Sequence, residues 1–356
     1  MVVKDKFPLG WMLRPEMLAI IVTHHCTSAC AGCCFGCSPR VSSSLDEKVM
    51  ADFIKTCTSL YPEIRVMVLT GGEVLSLDIE MVKRILRLAK SCGLTTRIVT
   101  NAFWATTISA ASLLMDELVH AGLDEIDEIN VSTGDVHQRF VPLKNILNVV
   151  RCAERVDGLR TCLVVVEDAP KRVFSKDDMV ASLKKMKMEI NKTRVISSPW
   201  VDFESKSCLF QKNEIRKKSA AEDFFCAKER GCDDLFRSIQ VNPRGQLLGC
   251  CGFAAEYSPL LRLGDFSYNK ERMHEVLLNQ TNDLLKCWLF LDGPLGLFEY
   301  FNPGITLNTS LHKCEICMRL LCNPAVLKGL SFLAPEKVWD IIFRLQVKCE
   351  SFKCKS

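Results

Sequence analysis

The chain has 356 residues, 48% of them hydrophobic and 25% charged, and this composition predicts a folded protein of roughly two domains rather than a disordered one. Its 46 basic and 42 acidic residues leave a net charge of +4, which argues against a nucleic-acid-binding protein. Apolar runs stay well below the roughly 18 residues that span a bilayer, and no export signal is visible, so we expect a cytoplasmic protein without membrane contact.

The first 204 residues alternate between short apolar strands and helical segments. The predicted strands are Leu18–Thr23, Arg65–Thr70, Thr96–Thr100, Glu128–Ser132, Thr161–Val166 and Thr193–Ser198. The predicted helices are Ser44–Tyr61, Asp78–Cys92, Lys144–Val156 and Lys176–Met188. Strands with apolar centres, separated by helices, predict an α/β fold with a parallel sheet buried on both faces. A closed eight-unit barrel takes roughly 250 residues, so a partial, six-unit (β/α) barrel fits better.

The strand–helix alternation and the distribution of polar residues and cysteines divide the chain into three predicted segments. Residues 1–204 are predicted to form the partial barrel, residues 205–225 a polar linker, and residues 226–356 a smaller, cysteine-rich domain. Ligands of parallel α/β sheets bind at the carboxyl ends of the strands. We therefore expect the functional residues of the first domain in the loops that follow its strands.

The twenty cysteines of the chain are clustered, and five of them lie between Cys26 and Cys37. A secreted disulfide scaffold is usually short and has little core, unlike this chain. In a reducing cytosol, clustered thiols favour metal or iron–sulfur ligation over disulfides. The cysteines therefore predict a metalloprotein.

A Cys-x3-Cys-x2-Cys pattern follows the first predicted strand, formed by Cys26, Cys30 and Cys33. Three thiolates can hold three irons of a [4Fe–4S] cluster and leave the fourth iron open, whereas an electron-transfer cluster has four protein ligands. The same spacing recurs in Cys30, Cys34 and Cys37, and we prefer the first register for its distance from the strand. A zinc site built from CysxxCys pairs is the alternative.

Further motifs lie at the carboxyl ends of the next three predicted strands, at Gly71–Glu73, Thr100–Ala102 and Asn130–Asp135. Together with the cysteine pattern they resemble, in chain order, the motifs of the radical S-adenosylmethionine (SAM) family, with Ala102 in place of a glycine. A second departure is Gly32, where the family usually has an aromatic residue. The resemblance implies a SAM-binding [4Fe–4S] cluster. The residues that it implies in SAM binding are Gly71, Gly72, Glu73, Asn101 and Ser132.

A second cysteine group lies in the C-terminal segment. A predicted hairpin over Ile239–Leu248 separates Cys232 from Cys250, and Cys314 and Cys317 follow as a CysxxCys pair. This order resembles the SPASM/twitch extension of many radical SAM enzymes, which holds auxiliary iron–sulfur clusters. The resemblance implies one auxiliary [4Fe–4S] cluster on these four cysteines, with a second cluster or a structural zinc site as alternatives. The thiols left for a second cluster are Cys226, Cys322, Cys349 and Cys354.

The family resemblance also implies the reaction. The reduced cluster cleaves SAM to methionine and a 5′-deoxyadenosyl radical, which removes a hydrogen atom from a substrate carbon. An electron donor such as flavodoxin or ferredoxin would supply the electron. Asp135 and His137 follow the fourth predicted strand, where a general base or substrate ligand would lie, and a loop-stabilising role is the alternative.

Three functions remain open at this point. The first is the cross-linking, epimerisation or oxidation of a ribosomally made peptide, since many enzymes with this extension act on peptides. The second is the oxidation of a sugar or amino sugar, which the single four-cysteine pattern favours. The third is a non-enzymatic iron–sulfur electron carrier or scaffold, against which the Gly71–Glu73 motif and the three-ligand loop both argue.

Overall fold

The computed structural model describes residues 9–122, 127–168, 173–201, 231–305, 307 and 311–353. As far as they are described, these residues form two compact units, which do not coincide with the predicted segments. The barrel unit comprises Met17–Ser205 and Val241–Gly245, and the C-terminal unit comprises Met1–Glu16, Lys206–Gln240 and Gln246–Ser356. The predicted linker over 205–225 lies outside the described residues.

Six parallel strands form the sheet of the barrel unit. They are β1 (Met17–Thr23), β2 (Val66–Gly71), β3 (Thr95–Thr100), β4 (Glu128–Gly134), β5 (Thr161–Asp168) and β6 (Thr193–Pro199). Each pairs in parallel with the next in chain order, so β1 and β6 lie at opposite ends of the series. This confirms the predicted α/β class, and the strand bounds differ from the predicted ones by at most two residues.

Five helices connect these strands, as parallel pairing requires. They are α1 (Glu47–Leu60), α2 (Ile79–Ser91), α3 (Ile108–His120), α4 (Leu143–Arg155) and α5 (Lys176–Lys185). The prediction missed α3. Its sequence is rich in alanine and serine and leaves Leu113 65% exposed, so its apolar residues do not lie on one face only.

The core of this unit lies on both faces of the sheet. Leu18, Ile20 and Ile21 are wholly buried in β1, and Phe53 and Ile54 of α1 are equally buried. A sheet covered in this way presents only its strand ends to ligands, so the loops at the carboxyl ends become the place for chemistry.

The C-terminal unit is mainly helical where the structure describes it. Three short strands are neighbours in chain order: β7 (Ser238–Val241), β8 (Gln246–Leu248) and β9 (Arg262–Asp265). The helices are α6 (Ala254–Tyr257), α7 (Lys270–Asn279), α8 (Leu284–Phe301), α9 (Lys313–Cys322), α10 (Pro324–Ser331) and α11 (Pro335–Lys353). None of the described helices is long and apolar enough to cross a bilayer.

The helix α8 shows why this helical content escaped prediction. It is apolar on nearly all sides, with Trp288, Phe290 and Leu297 buried, so no 3.6-residue alternation is visible. Gly293 has a positive φ of 66° and precedes Pro294, and together they kink the helix. A helix of this kind is recognisable only once its neighbours are in place.

Candidate functional site

The cysteine loop, residues 24–44, leaves the carboxyl end of β1 and carries all five cysteines of the first group. Its two limbs are hydrogen-bonded to each other at the base. The Thr23 hydroxyl donates to the Ser43 carbonyl at 2.9 Å, and the Cys26 amide donates to the Ser38 carbonyl at 3.3 Å. The cysteines are therefore held at the end of the sheet where ligands of parallel α/β folds bind.

Within this loop, the thiols of Cys26, Cys30 and Cys33 are close enough to act on one another electrostatically. Burial, together with the charge of the neighbouring thiols, raises the pKa of Cys26 to about 11 and that of Cys30 to about 12. Cys33 differs, because hydrogen bonds from the thiols of Cys34 and Cys37 hold its pKa well below the ordinary value. Three cysteines on one short loop are a donor set of the kind that iron–sulfur clusters take.

The two glycines at the end of β2 lie directly against the backbone of the cysteine loop. The Gly72 amide donates to the Thr23 carbonyl at 2.7 Å, and the Glu73 amide donates to the His25 carbonyl at 2.9 Å. A Cβ on Gly72 would lie 1.9 Å from the His25 carbonyl oxygen, and one on Gly71 would lie 2.4 Å from that of Thr23. Any side chain would separate the two backbones, so both positions require glycine.

The Glu73 side chain is wholly buried and faces the end of β3. One carboxylate oxygen accepts from the Thr100 hydroxyl at 2.8 Å and the Leu75 amide at 3.0 Å, and the other accepts from the Asn101 amide at 2.7 Å. Burial raises the pKa of Glu73 to about 7, because these hydrogen bonds offset only part of the desolvation. Glu73 thus ties β2 to β3, and its contact with SAM stays a prediction.

Asn101 completes the connection between β3 and the cysteine loop. Its side-chain nitrogen lies 3.7 Å from the Cys26 sulfur, 3.1 Å from the Thr27 hydroxyl and 3.2 Å from the Ser28 hydroxyl. Its side-chain oxygen accepts from the Phe103 amide at 2.9 Å, which shapes the turn after β3. The structure therefore brings Asn101 and the Gly-Gly-Glu motif together with the cysteine loop, as the motif order predicted.

In the C-terminal unit, the four predicted auxiliary ligands line one cavity. Cys232 precedes β7, Cys250 follows β8, and Cys314 and Cys317 lie three residues apart on α9, which places them on the same side of that helix. Residues that are far apart in sequence thus meet at one place. The sequence order had predicted this grouping.

Gly252 lies directly against the sulfurs of two of these cysteines. A Cβ on Gly252 would lie 2.6 Å from the Cys314 sulfur and 3.7 Å from the Cys250 sulfur, so even one methyl group would enter the space that the thiols share. The Cys232 sulfur accepts hydrogen bonds from the amides of Asp234 and Leu235. Four thiols around an open space, with amide donors to sulfur, fit an iron–sulfur cluster.

The other cysteines of the C-terminal unit do not form a second group of this kind in the described residues. Cys322 lies near Cys317, and the Cys251 thiol donates to the Asp234 carboxylate at 3.4 Å. Cys226, Cys354 and the side chain of Cys349 lie outside the described residues.

The chain matches no family model and no curated protein. Its structure is similar to that of SuiB from Streptococcus suis bound to the precursor peptide SuiA, with a TM-score of 0.53, 12% identity and coverage of 84% of this chain and 76% of SuiB. Weaker similarities include anSMEcpe with bound AdoMet and the Cp18Cys peptide (TM-score 0.48, 12% identity, 93% of this chain and 99% of that one). Another is Escherichia coli coproporphyrinogen III oxidase, HemN, a radical SAM enzyme (TM-score 0.38, 14% identity, 55% and 48%).

The chain shares the fold of SuiB. In this fold the cysteine loop, the Gly-Gly-Glu turn and the Asn101 turn follow three successive strands, β1, β2 and β3. Of the remaining predicted site residues, Ser132 lies in the last part of β4, and Asp135 and His137 follow this strand. Ser132 is half-buried within β4 and pairs with Val165 of β5, so it lies one strand further along the same edge.

Asp135 follows β4 directly, but its carboxylate is engaged by the backbone. Its oxygens accept from the amides of Val173 at 2.7 Å and Phe174 at 3.0 Å. These bonds fix the segment that enters α5. The geometry therefore favours the loop-stabilising alternative for Asp135, and the general-base role predicted for it gains no support.

His137 forms a half-buried polar pair that the sequence did not reveal. Its Nδ1 atom lies 3.1 Å from a carboxylate oxygen of Glu167, and its ring meets Trp200 edge-on with centroids 5.8 Å apart. Burial lowers the pKa of His137, but the Glu167 carboxylate more than offsets this, so the net shift is upward. The prediction ended the fifth strand at Val166, and Glu167 stands immediately after it, which is the one signal that could have found it.

No group of three or more His, Cys, Asp or Glu side chains in the described part of the chain is arranged to hold a metal ion. The metal assignments of both cysteine groups therefore remain proposals.

The turn after β3 yields a first prediction. Ala102 has a positive φ of 63° and is wholly buried, a conformation that costs an L-residue about 1–2 kcal/mol. We expect Ala102→Gly to raise the free energy of unfolding by about 0.5–1 kcal/mol, because the relief of strain exceeds the flexibility that glycine adds. Thermal or urea unfolding measures the change.

Ala105 provides the control, since it is equally buried in the same turn but has an ordinary φ. Ala105→Gly should lower stability. Equal destabilisation by both substitutions would contradict the strain at Ala102.

Proposed function

We propose that this protein is a radical SAM enzyme that modifies a ribosomally made peptide by cross-linking, epimerisation or oxidation. The main support for radical SAM chemistry is the attachment of the cysteine loop to the turns after β2 and β3. The Gly72 amide, the Glu73 amide and the Asn101 side chain all bond to that loop, at the end of the sheet where a cofactor would bind.

Cys26, Cys30 and Cys33 would hold three irons of a [4Fe–4S] cluster, and SAM would bind the fourth against Gly71, Gly72, Glu73, Asn101 and Ser132. When bound, these cofactors supply reductive cleavage of SAM and removal of a hydrogen atom from substrate carbon. The chain's own part is to hold and shield them. The Asn101 side chain, 3.7 Å from the Cys26 sulfur, stabilises negative charge on that ligand and keeps it in place.

His137 is the residue that we propose to face the substrate. Its pairing with Glu167 leaves its other ring nitrogen, Nε2, to donate or accept a proton at the barrel's carboxyl end. Asp135 serves beside it by fixing the backbone at Val173 and Phe174.

The cavity of the C-terminal unit supports an auxiliary [4Fe–4S] cluster held by Cys232, Cys250, Cys314 and Cys317. Four protein ligands leave no open iron, so such a cluster exchanges electrons and does not bind substrate. A flavodoxin or ferredoxin would supply electrons to the enzyme.

A peptide substrate is supported by SuiB, whose structure holds a precursor peptide and shares this fold. A small-molecule substrate, such as a sugar or amino sugar, is the second candidate, because the four cysteines line a single cavity and fit one auxiliary cluster rather than two.

Iron content and SAM cleavage test the cofactor assignment. Anaerobically reconstituted protein should bind about eight irons per chain and release 5′-deoxyadenosine when SAM and dithionite are added. Cys26→Ala should lose about four irons and all cleavage, since three ligands are needed, and Cys314→Ala should lose the other four or so. Cys92→Ala, at the end of α2 and away from both groups, is the control.

Bound zinc in place of iron, or SAM cleavage that survives Cys26→Ala, would overturn the radical assignment. An iron content of about twelve per chain would indicate two auxiliary clusters instead of one.

Gly72, against the backbone of the cysteine loop, and Gly252, against the Cys314 sulfur, allow a selective test without removing any proposed ligand. Gly72→Ala should displace the cysteine loop and lose about four irons together with SAM cleavage, because its Cβ would clash with the His25 carbonyl at 1.9 Å. Gly252→Ala should lose the other four or so, because its Cβ would lie 2.6 Å from the Cys314 sulfur. Gly10→Ala, which would meet only the flexible Leu278 side chain at 3.3 Å, is the matched control.

Loss of the same iron in both variants would contradict two separate sites. Full iron in Gly252→Ala would show that the cavity holds no cluster.

Co-expression with any short open reading frame found next to its gene tests the substrate class. Mass spectrometry should find a peptide that has lost two hydrogen atoms on cross-linking or oxidation, or that gains deuterium in heavy water on epimerisation. The second candidate would be favoured if the peptides stay unmodified and the enzyme instead oxidises a hydroxyl group of an amino sugar.

A further inference from the structure

Only two charged side chains line the cavity of the four cysteines among its described lining residues. They are Asp234 and Lys313, and they are joined by an ion pair of 2.8 Å. The rest of the wall, apart from the thiols and Gly252, is apolar: Leu235, Ala254, Leu261, Leu289 and Pro294. Charges act over longer distances in such surroundings, because little water screens them.

We propose that Asp234 and Lys313 form an opposed pair of charges that sets the reduction potential of the auxiliary cluster. The inference rests on the proposed function, since it requires a cluster in this cavity. Neither residue would touch iron. Both act on the ligands, so they are positioning residues and not catalytic ones.

Each member of the pair lies beside the ligands it would act on. Asp234 and Lys313 line the same cavity as the sulfurs of Cys232 and Cys314. Lys313 directly precedes Cys314 at the start of α9, and Asp234 lies two residues after Cys232. The two charges therefore act on the same pair of sulfurs with opposite sign.

The carboxylate is fixed in place from both sides. One oxygen of Asp234 pairs with the Lys313 ammonium at 2.8 Å, and the other accepts from the Cys251 thiol at 3.4 Å. The Asp234 carbonyl accepts from the Ser238 hydroxyl at 2.8 Å, and that hydroxyl in turn accepts from the Cys251 amide at 3.0 Å. A pair held this firmly keeps a constant field at the sulfurs.

The sign of each effect follows from electrostatics. Reduction adds one negative charge to the cluster and its thiolates, so a nearby cation favours the reduced form and a nearby anion disfavours it. Removing the charge of Lys313 should lower the reduction potential. Removing that of Asp234 should raise it, and removing both should give a smaller shift than either alone.

A redox titration of the full-length, reconstituted holoenzyme, followed by electron paramagnetic resonance, measures these shifts. Addition of SAM changes the signal of the SAM-binding cluster, so the signal that SAM leaves unchanged belongs to the auxiliary cluster. The variants are Lys313→Met, Asp234→Asn and the double substitution. Lys313→Arg keeps the charge, and Lys328→Met removes an exposed lysine on α10 that does not line the cavity.

Opposite shifts in Lys313→Met and Asp234→Asn, with iron content retained and no shift in Lys328→Met, would support the proposal. Lys313→Arg should stay near the parent value. If Lys313→Met loses iron, the test depends on Asp234→Asn alone, because this substitution keeps the shape of the side chain. Asp234→Asn must then still raise the reduction potential.

Unchanged potentials, or shifts of the same sign, would overturn the proposal while leaving the auxiliary cluster intact. Absence of any SAM-insensitive iron–sulfur signal in the parent protein would instead overturn the auxiliary cluster itself. The two failures are therefore distinct.

Discussion

The barrel site depends on one close approach of two backbones. The end of β2 lies so near the start of the cysteine loop that the Thr23 and His25 carbonyls accept directly from the Gly72 and Glu73 amides. A side chain at Gly72 would end this contact. Glu73 then carries the same connection to β3, where its carboxylate accepts from the Asn101 amide. Through these bonds, three strand ends hold one loop, and the loop needs no regular structure of its own.

The two cysteine groups are held by different physical means. In the barrel unit, the loop is held by hydrogen bonds from backbone amides and from the Asn101 side chain. In the C-terminal unit, the thiols come from three separate segments and are held by apolar packing around a cavity. The first arrangement fixes the position of the loop for which we propose cofactor binding. The second encloses charge in surroundings of low polarity, where a single ion pair has a large effect.

The strands of the barrel unit could be predicted because parallel strands buried on both faces are short apolar runs, as Ile20 and Ile21 in β1 illustrate. The helix α3 could not, because its apolar residues are not confined to one face. The helices α7 to α11 escaped as well, and α8 shows the reason: a helix surrounded by core has no polar face to reveal its period. The cysteines that we propose as ligands could be selected from their spacing, whereas Glu167 belongs to no motif and was missed.

The sequence by itself determined the order and spacing of the cysteines, the two glycines before Glu73 and the succession of strands, because each of these is a local property of the chain. Only the tertiary structure decided what the polar side chains do. It placed the Asp135 carboxylate on the Val173 and Phe174 amides, paired His137 with Glu167, and brought Asp234 to Lys313 beside four thiols. Such partners lie up to about eighty residues apart along the chain, and a hydrogen bond or ion pair depends on distances of a few ångströms that no local pattern encodes.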